Sequence, residues 1–172
     1  MKALHPVLFF VSLLFFSTVD ANEFNCVEVE IFQVDRSTIE SKQDKRAATI
    51  PEESLQKLQD AVALEVPLGI QGATGARVGR ESCPDATRAV IFGGVVSDFK
   101  PGSRALRYFV GFGAGAQKFA VDVYLKVKST GEVLATGEVI DRKIGGLLGG
   151  EADKGVDDFS EKAVGFIKKS LR

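Results

Sequence analysis

The 172-residue chain carries 22 basic and 23 acidic residues, so its formal net charge is −1. This balance provides no long-range positive field that would steer nucleic acid or an anionic membrane to the protein. The one histidine, His5, lies in the N-terminal leader, so the rest of the chain lacks an imidazole for acid–base catalysis or metal binding near neutral pH.

Residues 1–21 have the layout of a secretory signal peptide. Lys2 precedes an apolar run from Val7 to Val19, and small residues lead up to a cleavage site after Ala21. The alternative, a membrane anchor, would need about 20 apolar residues, and this run is shorter. A lipid anchor on Cys26 does not fit, because Asn25 stands where a lipobox has a small residue. We therefore expect export, with residues 22–172 as one domain that has no transmembrane segment.

Two cysteines, Cys26 and Cys83, remain in the exported chain. An oxidising compartment favours a disulfide between them, and two separate buried thiols are the alternative. Their wide spacing differs from the Cys-x-x-Cys pairs typical of redox sites, so the bridge is interpreted as structural.

The first half of the chain predicts one strand and one helix. Alternating apolar residues indicate a strand over Cys26 to Val34, followed by a charged, solvated loop over 35–49. Acidic residues interleaved in that loop make a basic binding patch the less favoured interpretation. Pro51 opens a helix that Pro67 and Gly69 end, and its apolar face is expected to contain Leu55, Leu58, Val62 and Leu64. Residues 68–87 show almost no periodicity and are predicted to be a long loop.

The segment from Arg88 to Phe99 is apolar on both faces and predicts an interior strand. Gly93-Gly94 indicates a bulge or a close backbone approach within it. A Pro-Gly turn follows over 100–103, then a short extended segment over 106–110, and then a glycine-rich loop.

A β-hairpin over 119–139 is the clearest structural prediction. Gly131 suits a left-handed position in its connection. The expected register pairs Val127 with Val133, Leu125 with Ala135, Val123 with Gly137 and Val121 with Val139, which leaves one face apolar. On the other face Asp122 is expected opposite Glu138.

A final helix from Asp153 onward is predicted to bury one side, with acidic residues early and basic residues late, as the helix dipole favours. Its expected apolar residues are Val156, Phe159, Ala163, Phe166 or Ile167, and Leu171. Together these elements predict a single α+β domain, with a mainly antiparallel sheet of four to five strands and two helices on one face.

The glycine-rich loop matches the dinucleotide-binding pattern only loosely. Gly111-x-Gly113-x-x-Ala116 has the spacing, but a strand follows it where that site requires a helix N-terminus. We therefore expect no cofactor, and interpret these glycines as a tight turn or a packing contact. We expect no metal site either, because there is no histidine and both cysteines are expected to be oxidised.

The second half of the chain resembles the bacterial exported family called domain of unknown function 4410, mainly over residues 90–172. The residues that carry the resemblance are Phe92-Gly93-Gly94, Asp98-Phe99, Gly102-Ser103-Arg104, Arg107, Gly111 to Ala116 and Thr130 to Leu134. The resemblance implies a small cell-envelope domain in the periplasm and supplies no activity.

By elimination the sequence predicts a non-catalytic periplasmic binding or assembly module whose partner is an envelope protein or an anionic ligand. Its expected contact edge is a glycine-rich loop with adjacent arginines, formed by Arg104, Arg107, Gly111, Gly113 and Gly115. Arginine suits this role because its guanidinium binds carboxylate or phosphate in a bidentate manner. The alternative is a carboxylate-based hydrolase or transferase that uses Asp98, Asp122 or Glu138, with Asp141 as a further candidate acid.

Overall fold

A computed structural model describes residues 24–37, 40–100, 118–141 and 152–172 of the protein. Its elements, in chain order, are β1 (Cys26–Val29), α1 (Lys42–Ala47), α2 (Glu52–Gly69), β2 (Thr74–Arg77), a 3₁₀ turn (Ala86–Arg88), β3 (Ala89–Lys100), β4 (Lys118–Val127), β5 (Val133–Asp141) and α3 (Ala152–Ser170). The leader, the cleavage site and the glycine-rich loop lie outside the described residues.

The five strands form one mixed sheet in the order β2-β1-β3-β4-β5. β1 runs parallel to both of its neighbours, whereas β3, β4 and β5 form an antiparallel meander with the longest pairings. The predicted α+β fold with a mainly antiparallel sheet is confirmed. The parallel part was not anticipated, because β2 lies inside the segment 68–87 that was predicted to be a loop.

The helices α2 and α3 contact each other and pack on one face of the sheet, which we call the helix face. Leu55, Leu58 and Val62 are buried as predicted, but Leu64 is 68% exposed and Val66 takes its place in the core. On α3 the buried residues include Phe159, Ala163 and Ile167. Edge-to-face aromatic contacts join the helix to the sheet through Phe32, Phe119 and Phe159.

The end of α2 lies unusually close to β2. Pro67 is inside the last turn of the helix rather than after it, and proline has no N–H to donate to the carbonyl of Ala63. Gly75 of β2 faces that carbonyl so closely that a Cβ added there would lie 1.8 Å from the oxygen. Only glycine allows the strand to approach the helix to this distance.

The predicted hairpin register is confirmed for three pairs and wrong for the fourth. Leu125 pairs with Ala135, and the two pairs beyond it also match, while Gly131 has a left-handed φ of 74°. A register shift next to Leu125 then pairs Val133 with Lys126 in place of Val127. Val127 instead donates its N–H to the carbonyl of Glu132, so the turn is one residue wider than predicted.

Two further boundaries differ from the sequence predictions. The first strand ends at Val29, and only an isolated bridge from Gln33 to Val95 continues it. The segment predicted as a solvated loop contains the six-residue helix α1. Of the two interpretations of Gly93-Gly94, the close backbone approach is confirmed, because a Cβ on Gly94 would lie 2.5 Å from a backbone oxygen of β4. The bulge of β3 lies further on, between Val96 and Asp98.

Candidate functional site

The residues predicted to form the contact edge, Arg104, Arg107, Gly111, Gly113 and Gly115, lie outside the described residues, so their role stays a prediction. The structure does describe the strand ends that flank them. Lys100 ends β3, Lys118 begins β4, and the two lysines are directly opposite each other in the antiparallel ladder. Directly opposite residues project from the same face, with Cβ atoms about 5 Å apart.

Asp98 is a buried carboxylate that pairs with two cations at this end of the sheet. The residue is 2% exposed. Its Oδ1 accepts a hydrogen bond from Nε of Arg46 at 2.8 Å and lies 2.7 Å from Nη2 in an ion pair, and its Oδ2 lies 3.2 Å from Nζ of Lys118. An ionised carboxylate is costly to bury unless it is paired, so these contacts stabilise Asp98 and fix both cations beside it.

The β3 bulge determines where Asp98 points. Val96 pairs with Val121 on the helix face, and strict alternation would return Asp98 to that same apolar face. The extra residue, Ser97, shifts the register so that Asp98 lies opposite Ala120, on the other face of the sheet.

A capping box positions Arg46, one of the two cations that pair with Asp98. Ser41 accepts hydrogen bonds from the backbone N–H groups of Gln43 and Asp44, and the Asp44 carboxylate accepts one from the Ser41 N–H. These hydrogen bonds lower the pKa of Asp44. The cap allows a helix of only six residues to form, and Arg46 lies in its last turn.

These residues define a positively charged surface that we call the basic end: Arg46, Lys100 and Lys118 around Asp98. Three cations against one carboxylate leave two positive charges. Neither the Nη1 of Arg46 nor the ammonium of Lys100 has a hydrogen-bond or ion-pair partner within the described ranges. The basic end can therefore donate hydrogen bonds to an anion without breaking its own ion pairs.

Ser97 is a further unusual feature of the basic end. Its hydroxyl oxygen is buried and has no hydrogen-bond partner in the part of the chain that the structure describes. A buried, unpaired hydroxyl costs free energy, so the bulge that aims Asp98 lowers stability locally.

A second polar cluster lies on the face of the sheet opposite the helices. The Tyr124 hydroxyl donates a hydrogen bond to Glu30, and Lys126 forms an ion pair with Glu30 at 3.3 Å while its Nζ lies 4.9 Å from the Tyr124 ring centre. Partial burial, together with the hydrogen bond and the charge of Glu30, raises the pKa of Tyr124 to about 12. Gly93 makes room for the ring, because a Cβ there would lie 2.6 Å from the Tyr124 hydroxyl.

The predicted disulfide between Cys26 and Cys83 is present. A buried carboxylate, Glu28, holds the segment that carries Cys83: it accepts the Cys83 N–H at 2.8 Å and pairs with Lys128 at 2.5 Å. The bridge therefore joins β1 to the loop before β3, and the backbone of Cys83 is held by both members of the Glu28–Lys128 ion pair.

The acids named as catalytic candidates do not share a cleft in the described structure. Asp122 and Glu138 lie opposite each other as predicted, and both are exposed. Asp141 is buried and pairs with Lys162 of α3 at 2.6 Å on the helix face, whereas Asp98 lies on the other face. A groove between α2 and α3 contains none of these acids; it is lined by Lys57, Asp60, Ala61, Leu64, Val156 and Asp157.

Within the described ranges, no three His, Cys, Asp or Glu side chains come together in a way that could hold a metal ion. None of the helices in these ranges is both long and apolar enough to cross a membrane.

Sequence reasoning missed the contribution of Arg46 to the basic end. The segment around it was interpreted as a solvated loop, and Arg46 is 52 residues away from Asp98. The available signal was the Ser41-x-x-Asp44 spacing, which is a variant of the capping-box pattern and marks a helix start.

The protein is therefore a single α+β domain with a mixed five-stranded sheet, one disulfide and a basic end. The chain belongs to the family described as a domain of unknown function (DUF4410), which matches residues 27–148. The match begins in β1, whereas the sequence resemblance lies mainly over residues 90–172.

Solved structures that align with most of this chain have low sequence identity to it. A PelC dodecamer from Paraburkholderia phytofirmans is 16% identical, with 81% of this chain and 88% of that chain covered and a TM-score of 0.44. Protein XCC0632 from Xanthomonas campestris is 12% identical, with 84% of each chain covered and a TM-score of 0.47. Comparison with curated protein sequences gave no significant match. The assignment to a family therefore rests on the match to residues 27–148 alone.

Proposed function

We propose that the protein is a non-catalytic binding or assembly module of the cell envelope, and that its contact edge is the end of the sheet where β3 and β4 meet. The observation that carries this proposal is the basic end. Lys100 and Lys118 are opposite each other and, with Arg46, surround one buried carboxylate. In the sequence, the two lysines also flank the segment with Arg104 and Arg107, which supports including these arginines in the proposed edge.

The environment of the candidate acids supports a non-catalytic role. Asp98 is buried and its two oxygens accept from Arg46 and Lys118, so it is poorly placed to exchange a proton with a substrate. Asp122 and Glu138 are on an exposed strand surface, where water competes with any substrate. The carboxylate-based hydrolase or transferase is therefore kept as the alternative, and a test of partner binding distinguishes the two.

A periplasmic location is part of the proposal. It is supported by the leader sequence and by the Cys26–Cys83 disulfide, since such bridges persist in oxidising compartments. Mass spectrometry of the protein from the envelope fraction should give Asn22 as the first residue with the disulfide intact. Retention in the cytoplasm with an uncleaved leader would contradict this part of the proposal.

Site-specific photocrosslinking tests the contact edge. A photoreactive residue replaces Lys100 in one variant and Lys57 in the control, because Lys57 is exposed on α2, which packs on the face of the sheet opposite to Asp98. After irradiation of intact cells we expect a discrete adduct from position 100 only, and its loss when Arg104 and Arg107 are both changed to Ala. Equal labelling from both positions, or none from position 100, would refute the proposed edge.

A further inference from the structure

We propose that the basic end binds a phosphate group, with Arg46, Lys100 and Lys118 as the direct ligands. This inference rests on the proposed function, because it names the chemistry of the ligand at the same edge. It concerns only residues that the structure describes.

Two like charges face each other at the basic end. Lys100 and Lys118 are directly opposite in the β3–β4 ladder, an arrangement that is destabilising when no counter-charge lies between the two side chains. Asp98 binds only one of them, at 3.2 Å from Lys118 Nζ. An anion held between the two ammonium groups would remove the repulsion that remains.

The hydrogen-bond donors of Arg46 and Lys118 are already oriented. Asp98 fixes the guanidinium of Arg46 through Nε and Nη2 and fixes Lys118 through its other oxygen. This leaves the Nη1 edge of Arg46 and the remaining N–H bonds of Lys118 available, together with the Lys100 ammonium, for which the described residues offer no partner. Asp98 is therefore a positioning residue, and prior orientation reduces the entropy lost on binding.

Charge and the number of acceptor oxygens favour phosphate over carboxylate. Among the described residues, two positive charges of the basic end are uncompensated, and a phosphate monoester carries about −1.5 to −2 at pH 7. A carboxylate would neutralise only one of these charges and has two oxygens for three donor groups. A phosphate group has three strong acceptor oxygens, one for each cationic side chain.

The test is a titration of the ¹⁵N-labelled mature protein with inorganic phosphate at constant ionic strength, followed by NMR. We expect saturable shifts of backbone amides near Asp98, Lys100 and Lys118, and weaker binding of acetate. Vesicles of phosphatidic acid form a second arm: competition with inorganic phosphate would identify a lipid headgroup as the source, and absence of competition would identify a free or soluble phosphate. Shifts that fail to saturate, or acetate binding as tightly as phosphate, would overturn the inference.

Substitutions assign the site. Lys100→Gln should weaken phosphate binding about tenfold, the size expected for loss of one charge-assisted hydrogen bond, whereas Lys57→Gln should leave it unchanged. Lys100→Glu should abolish binding and yet raise the urea midpoint, because it replaces a like-charged pair by an ion pair with Lys118. Equal effects of the Lys57 and Lys100 substitutions would show nonspecific attraction and refute the site.

The two proposals fail in different ways. If phosphate does not bind but the adduct from position 100 persists, the phosphate inference is wrong and the contact edge stands. If phosphate binds while crosslinking gives no adduct, the edge is not a partner surface, and the proposed assembly role is wrong.

Discussion

Substitution of Gly75 by Ala tests the contact between the unanticipated strand β2 and helix α2. The added Cβ would lie 1.8 Å from the oxygen, 2.7 Å from the carbonyl carbon and 3.0 Å from the Cα of Ala63. All three atoms belong to the backbone, so no rotamer change can relieve the clash, and strand and helix must separate by about 1.5 Å. Overpacking of this kind costs about 1–3 kcal/mol, and we expect the upper part of that range.

Gly165 provides a matched control. It lies on the exposed side of α3, and a Cβ added there would have no neighbour within 4 Å. Because alanine is a better helix former, Gly165→Ala should raise the free energy of unfolding by about 0.5–1 kcal/mol. The same chemical change should therefore have opposite signs at the two positions.

Urea denaturation of the oxidised protein, followed by circular dichroism, measures both variants. We expect a lower midpoint for Gly75→Ala with an unchanged m-value, since the surface exposed on unfolding should be the same. A Gly75→Ala midpoint equal to that of the parent protein would show that β2 does not approach α2 as described.

Three other predictions concern the polar clusters and the disulfide. Ser97→Ala should leave the free energy of unfolding unchanged or raise it, because its hydroxyl has no partner among the described residues. Ser160→Ala removes a 2.9 Å hydrogen bond and should cost about 1 kcal/mol. A loss at Ser97 as large as that at Ser160 would contradict the description of the Ser97 hydroxyl as unpaired. In a Tyr108→Phe background, absorbance at 295 nm should report ionisation of Tyr124 near pH 12, and Glu30→Gln should lower that midpoint. The raised pKa of Tyr124 stabilises the fold below about pH 10, and this contribution is lost as the pH rises toward 12. A midpoint near pH 10 in both proteins would refute the cluster. Replacing both bridged cysteines with alanine should cost about 4 kcal/mol by the loop-entropy model for a separation of 57 residues, measured by urea denaturation, and a loss below about 1 kcal/mol would show that the bridge does little to restrict the unfolded chain.

The antiparallel half of the sheet could be predicted from the sequence because its pattern is local. Alternation along β4 and the position of Gly131 determine three of the four predicted pairs. The fourth pair failed because the register shifts between Leu125 and Lys126, where Leu134 of β5 is an extra residue in the ladder. A pattern of period two contains no information about such an insertion.

The parallel half could not be predicted in the same way. β2 reads Thr-Gly-Ala-Arg, with a single buried residue, Ala76, and it is a strand only because β1 lies beside it. Arg77 of β2 also forms an ion pair with Asp60 of α2, a residue distant in the sequence, at 3.6 Å. Edge strands defined by a partner far away in sequence leave little local signal.

The predicted contact residues stay a prediction, and the described cations of the candidate site were not predicted. The expectation of a basic contact edge near residue 104 named positions outside the described residues, whereas the described cations at that edge are Arg46, Lys100 and Lys118. Arg46 and Lys118 meet through Asp98, which the sequence analysis had named as a candidate acid. A buried ion pair between distant segments depends on the fold, and a bulge set its direction.

The disulfide has one more consequence, which concerns cleavage of the chain. Cys26 and Cys83 enclose α1, α2 and β2, so a protease cut anywhere between the two cysteines leaves two fragments that are still covalently joined. The N-terminal fragment would also keep its parallel pairing with β3 through β1. In a compartment rich in proteases, the enclosed part of the molecule can be nicked without being released, and only a reducing agent would separate the pieces.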